Sequence, residues 1–168
     1  MTHSQQPLVG ATVTIPTGDA MRDFGAALAS ILRAGDLVLL TGPLGAGKTT
    51  LTQGIGRGLA VRGQIVSPTF TIAREYPGPG PDLVHVDAYR LGAIEELDAL
   101  DLDTSLDDSV TVIEWGEGVA EVLSEDRLEI RIARPIGTAE DEQGDARTLT
   151  LHPVGERWQD AVLPAFGA

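Results

Sequence analysis

Gly42, Pro43, Leu44, Gly45, Ala46, Gly47, Lys48 and Thr49 follow the spacing G-x-x-x-x-G-K-[ST], and Thr50 extends the run. Glycines let a backbone curl until successive N–H groups face inward. A helix beginning at the end of such a loop adds partial positive charge at its N-terminus. The lysine supplies a point cation and the following hydroxyl a hard oxygen. Together they suit a chain of phosphates and a Mg²⁺ ion, with Lys48 toward the β- and γ-phosphates and Thr49 toward the metal.

Such a loop needs carboxylates to hold the metal and to place a nucleophile. Asp87 closes the stretch "LVHVD" and Glu114 closes "VTVIE". The end of a buried strand is where an α/β sheet presents its ligands, so either residue suits Mg²⁺ or an ordered water. Thr69, inside "SPTF", stands where many nucleotide hydrolases carry a threonine that folds over the γ-phosphate and lets go after hydrolysis. His85 lies two residues before Asp87 on the same strand face and reads, taken alone, as a satisfied buried histidine. Trp115 reads as a packing residue unless a pocket opens beside it. Arg90 suits a phosphate or the nearby Glu95 and Glu96, and the sequence does not choose.

The elements that must position these groups alternate. "ATVTIP" from Ala11 to Pro16 reads as a short strand, and Thr17 as the cap of a helix from Gly18 to Arg33 ending at Gly35. Asp36 to Thr41 contains "LVLL", a run suited to a strand buried on both faces. A helix follows from Lys48 to about Val61. "PGPGP" from Pro77 to Pro81 is a turn, placed as a hairpin connection before the strand Leu83–Asp87. "AIEELDALDLD" suggests a short helix and loop. Val110–Glu114 is a further buried strand, and 118–123 a second short helix. Leu128–Ala133 and Arg147–His152 alternate apolar and polar residues, as antiparallel strands do. An acidic loop separates them. A tail from Glu156 carries Trp158 and Phe166, enough for a short packed helix. The expected class is a single α/β domain of the P-loop type, a three-layer sandwich with a mixed central sheet.

Composition narrows the function. The chain has 168 residues and no cysteine, which excludes a disulfide framework, a thiolate metal site and a cysteine nucleophile. Twelve basic residues face 25 acidic ones, a net charge of −13. Bare nucleic acid repels such a surface, so no strong direct nucleic-acid binding is expected; the charge reads first as solubility, and otherwise as docking on a basic protein partner. No signal peptide or membrane-length apolar run is evident, and a cytoplasmic location is expected. A GTPase would need N-K-x-D, and the chain contains no asparagine. A small-molecule kinase is the leading alternative, and such kinases usually carry an arginine-bearing lid over the phosphates. No arginine lies between Arg90 and Arg127, and the later ones sit in antiparallel strands. A nucleotide-sensing regulator without turnover remains a third class.

"GPLGAGKTT", "SPTFT", "HVDAYRL" and "IEWGE" occur here in the order that characterises the TsaE (formerly YjeE) family, the bacterial ATPase of tRNA threonylcarbamoyladenosine biosynthesis, and the chain resembles that family from Gly42 to Glu117. Ala88 departs from the larger apolar residue usual there. The resemblance implies ATP and ADP as nucleotides and weak, Mg²⁺-dependent hydrolysis. It implies a role with the TsaB–TsaD pair, which transfers the threonylcarbamoyl group to adenosine 37 of tRNA. Carried over by motif, Lys48 and Thr49 bind phosphate and Mg²⁺, Thr69 belongs to a switch, Asp87 and Glu114 serve metal and water, and Trp115 lies near the nucleotide. Glu114 is placed on the metal side and Asp87 nearer the water.

Overall fold

The unbroken apolar run Leu37–Leu40 builds the middle of a sheet. The computed structural model describes residues 6–43, 45–66, 73–87, 107–114, 126–134 and 146–164, with Asp87 described by its backbone. In chain order the elements are β1 (Thr12–Ile15), α1 (Gly18–Ala29), β2 (Leu37–Thr41), α2 (Lys48–Leu59), β3 (Ala73–Tyr76), β4 (Asp82–Asp87), β5 (Ser109–Glu114), β6 (Arg127–Ala133) and β7 (Arg147–Val154). Seven described strands form one sheet in the order β1-β7-β6-β2-β5-β4-β3. β2 runs parallel to both β5 and β6, and β4 runs parallel to β5. β1, β7 and β3 are antiparallel to their neighbours. The sheet is therefore mixed, as the sequence suggests. β6 is antiparallel to β7 only; on its other edge it joins the parallel core.

The burial pattern follows from that topology. Val38, Leu40, Leu83, Val110 and Val112 share a cluster with Phe24 and Leu28 of α1 and Leu51 and Ile55 of α2. Leu37, Leu39, Val84, Val86 and Ile113 alternate with them along the strands and are buried too. The central strands are thus covered on both faces, the condition of a three-layer α/β arrangement. β6 and β7 alternate buried and solvent-facing residues, as antiparallel edges can.

Helix α1 starts where expected, with the Thr17 hydroxyl accepting the Ala20 N–H at 3.0 Å. It ends at Ala29 rather than Arg33. Ile31 and Leu32 already bond three residues back, to Leu28 and Ala29, which tightens the chain out of α geometry. The Asp36 carboxylate then captures the Arg33 N–H at 2.8 Å. Asp36 is itself gripped by Arg157 through two bonds, 3.0 Å from Nε and 2.9 Å from Nη2. Among its described residues the tail forms a 3₁₀ turn, Glu156–Trp158, instead of the expected helix. Trp158 is buried there, with the Arg157 guanidinium 4.2 Å above its ring.

α1 and α2 lie in close contact because Gly54 presents no side chain; a Cβ there would strike the Arg22 carbonyl. The Pro77–Pro81 turn does connect a hairpin, β3 to β4, and the Gly78 N–H bonds the Asp82 carboxylate at 3.1 Å. The expected helices at 93–103 and 118–123, the acidic loop 138–145 and Phe166 lie outside the described residues. Among the described residues, no helix is long and apolar enough to cross a membrane.

Candidate functional site

The parallel strands β2, β5 and β4 end at one edge of the sheet, and the functional residues collect there. β2 passes directly into the loop that begins at Gly42. Gly47 closes that loop in a left-handed conformation, φ 112° and ψ 17°, which a side chain would strain. Gly47 is also the cap of α2, and α2 has no side-chain capping bond, in contrast to α1 with Thr17. The first-turn amides of α2 thus receive no acceptor from a cap, and a phosphate meets that demand.

Lys48 is 5% exposed. Its ammonium donates to the Gly42 carbonyl at 2.8 Å and to the Pro43 carbonyl at 3.0 Å. The loop braces itself further through the Ala46 N–H to the Pro43 carbonyl, 3.0 Å. Thr49 and Thr50 are half-buried in the first turn of α2. Gly45 is exposed and Ala46 buried beside them. Leu44, Thr69 and Trp115 lie outside the described residues, as does Arg90.

Glu114 ends β5 at 4% exposure, paired in register with Leu40 on one side and with Asp87 on the other. The two predicted carboxylate positions are therefore cross-strand partners next to the strand that feeds the loop. Register places Asp87 by its backbone; its side chain is not among the described ones. His85, fully buried on β4, meets Glu114 diagonally across the strands, Nε2 to Oε2, at 2.9 Å. The sequence reads His85 as a satisfied core residue. It is buried, but only half satisfied: among the described residues its Nδ1 has no hydrogen-bond partner.

The opposite flank of the loop carries what sequence reasoning missed. β7 runs antiparallel to β6, so its first residue, Arg147, returns to the loop edge. Its Nε donates to the Ala46 carbonyl at 3.1 Å and its Nη1 to the Ala146 carbonyl at 3.0 Å. Arg134, just past β6, lies beside Gly45. Position in an antiparallel strand did not remove these arginines from the phosphate loop, because topology folds both strand ends back to it. Between the start of α1 and the loop lies a cavity of about 130 Å³, lined by Thr17, Met21, Ala46, Thr50 and Arg147 among others.

A family model described as "Threonylcarbamoyl adenosine biosynthesis protein TsaE" matches residues 15–142. The chain belongs to the TsaE family. A TsaE relative, the tRNA threonylcarbamoyladenosine biosynthesis protein TsaE of Streptomyces coelicolor, is 60% identical over 144 residues, 84% of this chain and 95% of the relative. The protein of the same name from Mycobacterium bovis is 49% identical over 135 residues, 74% of this chain and 80% of that one. The crystal structure of YdiB from Bacillus subtilis superposes with a TM-score of 0.70 at 29% identity, covering 94% of this chain and 93% of that one. The TsaE match includes the loop, Asp87 and Glu114, while Arg147 lies beyond its last matched residue.

Proposed function

We propose that this TsaE-family chain binds ATP with Mg²⁺ at the 42–50 loop and hydrolyses it slowly, in support of the TsaB–TsaD pair that modifies adenosine 37 of tRNA. One arrangement carries the reading. The buried ammonium of Lys48 and the uncapped start of α2 share a sheet edge with Glu114 and the end of β4, while the cavity by Arg147 opens on the other flank.

In this reading the nucleotide runs across the loop with its γ-phosphate end on the β5 and β4 side of β2 and its nucleoside end toward α1 and β7, an orientation that the position of Glu114 on β5 supports. Lys48 and the loop amides neutralise and orient the phosphates. The Thr49 hydroxyl and the Glu114 carboxylate would hold Mg²⁺, an all-oxygen donor set that suits a hard cation. Mg²⁺ held there would supply charge neutralisation to the phosphates. By the family resemblance, Asp87 would order the attacking water, Thr69 would respond to the γ-phosphate, and Trp115 would serve the nucleotide.

The kinase alternative loses ground on one point. Arg147 is fixed to main-chain carbonyls from a strand and forms a wall, not a lid that closes on an acceptor. An acidic chain of net charge −13 also suits a subunit that leaves tRNA to its partners. The deciding experiment measures phosphate release from ATP with no added acceptor, with and without TsaB and TsaD. The expected result is slow release that the pair stimulates. No release under either condition contradicts the proposal, as does transfer of phosphate to a small acceptor.

A further inference from the structure

His85 plays no part in the function proposed above, yet its burial calls for a physical reason. It sits in β4 among Leu83, Val84 and Val86, all buried, at 0% exposure. An apolar residue would fill that place without leaving a polar atom stranded. The imidazole leaves one: among the described residues Nδ1 has no partner, whereas Nε2 meets Oε2 of Glu114 at 2.9 Å. An unsatisfied polar atom in a buried sheet is a standing cost that packing alone does not justify.

The two nitrogens also settle the tautomer. A hydrogen on Nδ1 would be a donor with no acceptor. The hydrogen therefore resides on Nε2 and is donated to the carboxylate.

We propose that His85 is the positioning residue of Glu114. It fixes Oε2 by a charge-assisted bond and leaves Oε1 as the oxygen for the metal. The inference rests on Glu114 serving Mg²⁺, as proposed above. Geometry favours it. Glutamate has three side-chain torsions, and a free carboxylate would have to order itself when metal arrives. Here the ordering is done in advance by a ring that comes from the neighbouring strand, where the register Asp87↔Glu114 puts His85 one diagonal step away. The same bond joins the ends of β4 and β5, so it also steadies the backbone that presents Asp87. Carboxylates that bind metals are commonly held by such outer partners, whose loss lowers metal affinity or activity about 10- to 100-fold.

The test uses the full chain and two substitutions. His85→Leu removes the donor and keeps the volume; His85→Gln keeps an N–H at the reach of Nε2. The first readout needs no nucleotide. The chain has three histidines, so ¹⁵N imidazole spectra separate them. The expected His85 pattern is the Nε2–H tautomer, altered in Glu114→Ala. The second readout is the gain in ADP affinity on adding Mg²⁺. That gain is expected to fall about tenfold in His85→Leu and to recover largely in His85→Gln, with metal-free ADP affinity unchanged in both. A role in packing alone would leave the Mg²⁺ gain of the leucine variant at the wild-type value, and that result overturns the proposal. So does a hydrogen on Nδ1. If wild-type protein binds ADP with no Mg²⁺ gain at all, the metal role of Glu114 fails and takes this proposal with it, whatever the tautomer.

Discussion

Arg147 and Ala46 stand 101 residues apart in sequence and 3.1 Å apart in space, guanidinium Nε to carbonyl. The bond ties the first residue of β7 to the phosphate loop and aligns a cation with the cavity beside it. Arg147→Ala should weaken ADP binding about tenfold, the factor expected if this cation at the cavity wall gives a bound phosphate roughly 1.5 kcal/mol of charge-assisted attraction. Arg147→Lys should recover little, because an ammonium does not reach the carbonyls of Ala46 and Ala146 together as the fork does. Calorimetry on the three proteins checks this; equal affinities would show that the clamp is incidental.

Glu114→Ala and Asp87→Ala should each lower Mg²⁺-dependent ATP turnover by at least about tenfold, since metal and water placement carry phosphoryl chemistry. Single-turnover rates separate this from weaker binding. Normal rates in both variants would remove the acidic pair from the mechanism.

Gly47→Ala should destabilise the fold by about 1–2 kcal/mol, because φ 112° lies where a Cβ crowds the backbone. The added methyl would also sit 3.1 Å from Cε of Met21. A melting temperature lower by about 3–6 °C is expected. A larger proportional loss of nucleotide affinity should accompany it, since the same residue sets the curl of the loop. An unchanged melting curve would contradict the strain.

Arg157→Ala should cost about 2–3 kcal/mol, toward the low end for stranding one member of an ion pair, since Arg157 is only partly buried while Asp36 is buried. Asp36, 4% exposed, would lose both bonds from Arg157. The melting temperature should fall by about 5–10 °C, and Asp36→Asn in the same chain should restore part of the loss. Arg157 lies far from the loop in sequence and acts on the turn before β2, so metal-free ADP affinity at low temperature should change little.

The phosphate loop was legible because its chemistry is local: one short run of residues holds the curl, the cation and the hydroxyl. Asp87 and Glu114 were legible as strand ends, since an apolar run stopped by a carboxylate carries its own position. Arg147 was not, because its place depends on β7 returning beside β6, a pairing no local spacing encodes. His85 was legible as buried but not as a partner of Glu114, which takes the β4–β5 register to see. The end of α1 was overestimated for a similar reason. Apolar periodicity runs on to Leu32, but Asp36, held by Arg157 from the far end of the chain, pulls the backbone into a turn first.

The central claim is that Lys48 and the α2 terminus grip a phosphate chain. Calorimetric titration of Mg-ATP into the wild-type chain and into Lys48→Ala tests it most directly. The account predicts saturable one-site binding in the first and no measurable binding in the second, with both proteins folded by circular dichroism. Equal affinity in the two proteins would contradict it.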